Sequence, residues 1–118
     1  MKTVHHMKLH TAPFDMIRCG MKTIELRLYD EKRQMIHQGD LIVFSKSDDL
    51  QVQITAEVVG LHIFGSFEEL YRSLPLNKCG YRADEVENAS AEDMLAYYSA
   101  EQQRRFGVVG IEIQVQNN

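Results

Sequence analysis

The sequence predicts an α+β fold: a small, mostly antiparallel, partly closed β barrel with peripheral helices, forming one domain over residues 1–118. Three observations lead to it. Ile24, Leu26 and Leu28, then Val52, Ile54, Ala56 and Val58, then Val109, Ile111, Ile113 and Val115 alternate with other residues at the period of a strand with one apolar face. The cluster Ser45-Lys-Ser-Asp-Asp joins the apolar run Leu41–Phe44 to the strand at Gln51 and predicts a hairpin. Strands and helices alternate too rarely for a doubly wound sheet, so hairpin-linked strands must curl over a shared core.

In chain order, His6–Leu9 reads as a short first strand. A helix follows, with Thr11 as N-cap, Pro13 in the first turn where a missing N–H costs nothing, and Gly20 just past its end. Residues 22–28 form the next strand, and Tyr29–Ile36 a turn plus a short helical stretch anchored by Met35 and Ile36. Gln38-Gly-Asp is a turn, in which Asp40 serves as turn-former rather than catalyst. The long strand from Gln51 to Ile63 carries Gly60 as a bulge or bend. Ser66-Phe-Glu-Glu has the capping-box pattern, and Phe67, Leu70, Tyr71 and Leu74 repeat at helical spacing until Pro75. Residues 76–88 read as a long loop, the expected mobile element. A second cap at Ser90 and a restart at Ser99 carry helical structure through Arg105, and the last strand spans residues 107–115.

The composition is that of an ordinary globular chain, with 25% charged and 44% hydrophobic residues. A formal net charge of −4 argues against coating duplex nucleic acid through charge alone, so any nucleic-acid contact should be compact. No run of about 18 apolar residues occurs and the first residues lack an apolar core, so neither a membrane span nor a signal peptide is expected, and the chain is assigned to the cytoplasm. Cys19 and Cys79 are expected as reduced thiols. His5, His6 and His10 cluster without a carboxylate or thiol at ligand spacing, so no metal is expected. With no dinucleotide fingerprint, phosphate-cradling loop or Gly-x-Ser-x-Gly, no cofactor is expected either.

The informative stretch runs from Gly20 to Asp40. Glu25 and Arg27 stand two apart on one strand face, Lys22 lies at the strand's mouth, and Asp30, Lys32 and Arg33 follow. Ionisable groups of both signs so close together suit a pocket for a polar, planar or anionic ligand; a salt-bridged exposed strand has the same spacing. Lys22 can act as a base or hold a phosphate or carbonyl oxygen, Arg27 offers a planar fork, and Glu25 can activate water or accept from a nucleobase amino group. Lys32 and Arg33 extend a basic rim or are simply solvated. Tyr71 and Tyr98 can stack on a base, although their spacing also fits core packing.

His5-x-Met-x-Leu, the run Pro13-Phe-x-x-Ile-x-x-Gly-x-Lys-Thr-Ile-Glu-Leu-Arg, Gly39-Asp-x-Ile-x-Phe and the strand Phe106–Ile111 together resemble the ASCH domain. The resemblance covers essentially the whole chain and implies a PUA-like β barrel. It further implies RNA binding through a charged cleft, for which the candidate residues here, taking single-stranded RNA or a nucleotide-like ligand, are Lys22, Thr23, Glu25, Arg27, Lys32, Arg33 and Tyr98. A subgroup of small bacterial members hydrolyses N4-acetylcytidine with a Lys, a Thr and a Glu. On that alternative, an amidohydrolase acting on a modified nucleoside, the working groups here would be Lys22, Glu25 and either Glu92 or Asp93. The chain departs from the subgroup where its Thr is expected, three residues after the Lys, because Glu25 stands there. Thr23 is predicted on the opposite strand face from Lys22. The oligomeric state is not set by the sequence.

Overall fold

In the computed structural model, which describes residues 2–116, five strands form one curled sheet. They are β1 (Val4–Leu9), β2 (Ile24–Leu28), β3 (Leu41–Lys46), β4 (Asp49–Phe64) and β5 (Val108–Val115), in the spatial order β1-β3-β4-β5-β2. Only β1 and β3 run parallel; the other pairs are antiparallel. The long β4 pairs with β3 through its first half and with β5 through its second. Between the β5 partners Ile113 and Glu112 it places Val58, then Gly60, leaving Val59 as the extra residue of a bulge that bends the sheet at the expected glycine.

The two edge strands, β1 and β2, do not pair with each other, so the structure is a half-barrel with a seam. Helix α1 (Thr11–Arg18) connects them. Its first backbone bond is donated by Phe14 to His10, so Pro13 sits where no N–H is needed. The cap differs from expectation: His10 is the N-cap without a side-chain bond, and Thr11 instead donates its hydroxyl to Asp48 at the β3–β4 turn. Gly20, at φ +85°, ends the helix in the left-handed region.

Directly paired residues share a sheet face, and the register of β2 on β5 sorts the interior into two layers. Glu25 opposes Ile111 and Arg27 opposes Val109, both in the core inside the curl with Phe14, Phe44 and Val58. Leu26 and Leu28 oppose Gly110 and Val108, and with Ile24 they pack against α2 (Phe67–Ser73) through Phe67 and Leu70. The polar face of β2 therefore points into the half-barrel, and its apolar face supports the helical layer.

At α2, Ser66 accepts from the Glu69 N–H, but the Glu69 carboxylate takes the N–H of Gly65 rather than that of Ser66, so the reciprocal half of the capping box is displaced by one residue. Residues 76–88 hold two 3₁₀ turns, Leu76–Lys78 and Val86–Asn88. Ser90 begins a 3₁₀ segment, Ala91–Ala96, and Ser99 with Gln102 caps α3 (Ala100–Phe106). Met35 is no anchor: it is 69% exposed, whereas the neighbouring Ile36 is buried in the inner core.

Candidate functional site

The seam of the half-barrel opens into a cleft of about 710 Å³, within the range that accommodates small ligands. Its floor is an ion triad. The Lys22 Nζ lies 2.7 Å from one oxygen of Glu25, and the Arg27 Nε donates to the other at 2.8 Å. Glu25 is 3% exposed. Burial alone would raise its pKa; the Lys22 ammonium and the Arg27 guanidinium together outweigh that and hold it below the ordinary value, so the carboxylate is ionised. Arg27 also donates through Nη2 to the Lys8 carbonyl at 3.2 Å, spanning the seam from β2 to the edge of β1. The bond joins two edge strands that do not pair with each other.

Lys22 and Thr23 lie ahead of β2, which begins at Ile24 rather than at Lys22 as expected. Backbone bonds fix them: the Lys22 N–H donates to Met16 in α1 and the Thr23 N–H to Lys78. The stem of Lys22 runs against Gly80, where a Cβ would come 3.5 Å from Lys22 Cδ and where φ of +112° favours glycine.

One wall of the cleft is aromatic. Tyr71 and Tyr81 share a 2.6 Å hydroxyl contact, and Tyr81 donates to Asp93 at 2.8 Å, tying the loop at residue 81 to the segment after Ser90. Burial, reinforced by the bond to Tyr71 and by the Asp93 carboxylate, pushes the Tyr81 hydroxyl far up. Tyr98 stacks on Phe67 with ring centroids 5.9 Å apart, and so lines the cleft while packing on the helical layer. Cys79 also lines the cleft; burial pushes its thiol up to about 11, against the opposing pull of Lys22.

The other residues singled out from the sequence are placed elsewhere. Thr23 lines a separate recess of about 300 Å³ on the far side of Lys22 and not the cleft. Lys32 is exposed and Arg33 pairs with Asp30 at 3.3 Å; neither lines the cleft. Glu92 is exposed and gives only its backbone N–H to Ser90, whereas Asp93, one residue on, reaches the cleft. The histidines diverge: His5 bonds Asp40 at 2.9 Å, His10 sits at the cleft rim, and among the described residues no group of three or more potential ligands gathers around a metal position. Asp40 accepts from His5 and from the N–H groups of His37 and Thr3, which hold its pKa down to about 2 and make it a tie between β1 and the turn before β3. Sequence reasoning missed Lys8, Gly80, Tyr81 and Tyr97. Their only local signal was the pair Tyr97-Tyr98 between two capped turns.

Among the described residues no helix is long and apolar enough to cross a membrane. The half-barrel is shared with solved structures. The crystal structure of hypothetical protein PH0355 matches at 29% identity with a TM-score of 0.82, covering 97% of this chain and all of that one. The solution structure of protein PF0455 from Pyrococcus furiosus matches at 27% identity and a TM-score of 0.72, covering 98% of this chain and all of that one. The ASCH protein of Zymomonas mobilis shares the fold at 12% identity and a TM-score of 0.63, over 94% of this chain and 66% of that one. No curated protein matches the sequence significantly. The ASCH domain model matches residues 7–116, which contain every strand but the start of β1 and every residue lining the cleft; the chain belongs to the ASCH domain family.

Proposed function

We propose that the chain binds single-stranded RNA and takes one unstacked nucleotide into the seam between β1 and β2. The observation that carries this reading is the floor of the cleft, where two cations, Lys22 and Arg27, face one buried carboxylate. A local cationic excess is thus built into a chain whose net charge is −4. Each oxygen of Glu25 keeps a lone pair for a base amino group, and Arg27 keeps a guanidinium N–H for a carbonyl or phosphate oxygen. The tyrosine wall, with Met16 beside it in the cleft lining, supplies the apolar and aromatic surface an unstacked base needs. RNA binding is also what the ASCH family is generally associated with.

The same floor weighs against hydrolysis of an acylated nucleoside. Glu25 stands where that chemistry would need a hydroxyl, and its lowered pKa makes it a poor proton acceptor at neutral pH. The Cys79 thiol, at about 11, is not activated. A short unstructured RNA titrated into the protein between about 50 and 200 mM salt tests the proposal. We expect affinity to fall with salt, Lys22→Ala to weaken binding, and N4-acetylcytidine to survive incubation. Salt-independent binding, or release of the acetyl group, would contradict it.

A further inference from the structure

Tyr97 occupies a position the single-nucleotide reading leaves unused. It lines the cleft mouth yet is 69% exposed. The other tyrosines of the cleft are committed: Tyr71 and Tyr81 to each other and to Asp93, and Tyr98 to Phe67. Tyr97 follows the 3₁₀ segment and is turned toward solvent, as its exposure shows, whereas the neighbouring Tyr98 is half-buried against Phe67. The backbone here is fixed. The N–H groups of Tyr97 and Tyr98 both donate to the Met94 carbonyl, the Ser90 cap with Asp93 holds the turn before, and the Ser99 cap with Gln102 begins α3 immediately after. A large aromatic ring on a pinned backbone presents contact area at low entropic cost. Lys8 at the end of β1 and His10 just past it, both exposed, also line the cleft and offer polar groups to a passing phosphate.

We infer that Tyr97 is a stacking platform for a base adjacent to the one held in the seam, so that the ligand is a stretch of single strand of at least two nucleotides and not a free nucleoside. This rests on the seam reading above. The platform reads no sequence, because every base has a π face. Its contribution is neutral stacking, so it should not alter the number of phosphates neutralised.

Two RNA trinucleotides with identical phosphates test it: one carrying all three bases, the other only the central base with abasic flanks. Wild-type protein should bind the first about 5- to 160-fold more tightly, the strength of one base–aromatic stack. Tyr97→Ala should lose that preference while keeping its affinity for the abasic-flank ligand and its salt dependence, and Tyr97→Phe should retain it. The platform is overturned if the wild type does not discriminate, or if Tyr97→Ala discriminates as well as the wild type. Failure of the wild type to bind either trinucleotide would instead remove the seam reading and the platform with it.

Discussion

At the residue scale the chain turns on Glu25. Its 3% exposure would be unfavourable for a lone carboxylate, and the two cations at 2.7 and 2.8 Å make it tenable. Removing the charge leaves Lys22 and Arg27, whose side chains are 10% and 16% exposed, without their counter-ion. Glu25→Gln should therefore destabilise the fold by about 3 kcal/mol, the low end for a broken buried pair because both cations retain some access to water; urea unfolding checks this. Asp40 gives a pH prediction. Its folded pKa of about 2 lies below the ordinary 3.8, so the stability it contributes is fully present above that ordinary value and is lost as pH falls toward the folded one. Glu25, lowered from 4.5, acts in the same direction. Unfolding free energy should thus be flat near neutrality and fall below about pH 5, and Asp40→Asn should flatten the part of the fall between about pH 4 and pH 2. The triad was half legible in the sequence, since alternation put Glu25 and Arg27 on one face. The inward direction of that face was not, because a strand's local period does not say which side its sheet will curl toward.

At the scale of elements, β5 shows how two layers meet. Gly110 opposes Leu26, and a Cβ there would fall 2.7 Å from Leu74 Cδ1 and 3.1 Å from Ile24 Cγ2. Ile24 is β-branched and stiff, so it has little room to yield. Gly110→Val should cost about 1 to 3 kcal/mol through overpacking, partly offset by the better strand propensity of valine; thermal unfolding measures it. The alternation of Val109, Ile111, Ile113 and Val115 was readable, as were the Gly60 bulge and the Ser66 and Ser99 caps, because each is signalled within a few residues. Thr11 and Met35 misled for the opposite reason. Thr11 is drawn to Asp48 across 37 positions of sequence, and burial of Ile36 in place of Met35 is decided by where β3 lies.

At the scale of the whole molecule, the cleft follows from an omission in the topology. The strand order β1-β3-β4-β5-β2 sends the first two strands to opposite edges, and α1 carries the chain between them. Among the described residues the gap that remains is crossed by a side-chain bond from Arg27 to the Lys8 carbonyl, and it is lined from five separate parts of the chain. Such a site cannot be assembled from local spacing, which is why Lys8, Tyr81 and Tyr97 escaped notice while Lys22, Glu25 and Arg27, contiguous in sequence, did not. Amide chemical-shift mapping during titration with a short single-stranded RNA, repeated at higher salt, tests the central claim most directly. Shifts should gather at residues 8–10, 22–27, 79–81 and 93–98, and should weaken as salt rises. Saturation with shifts confined to β4 around His62 and Ile63, or no shifts at all, would contradict the claim that the open seam is where this protein binds RNA.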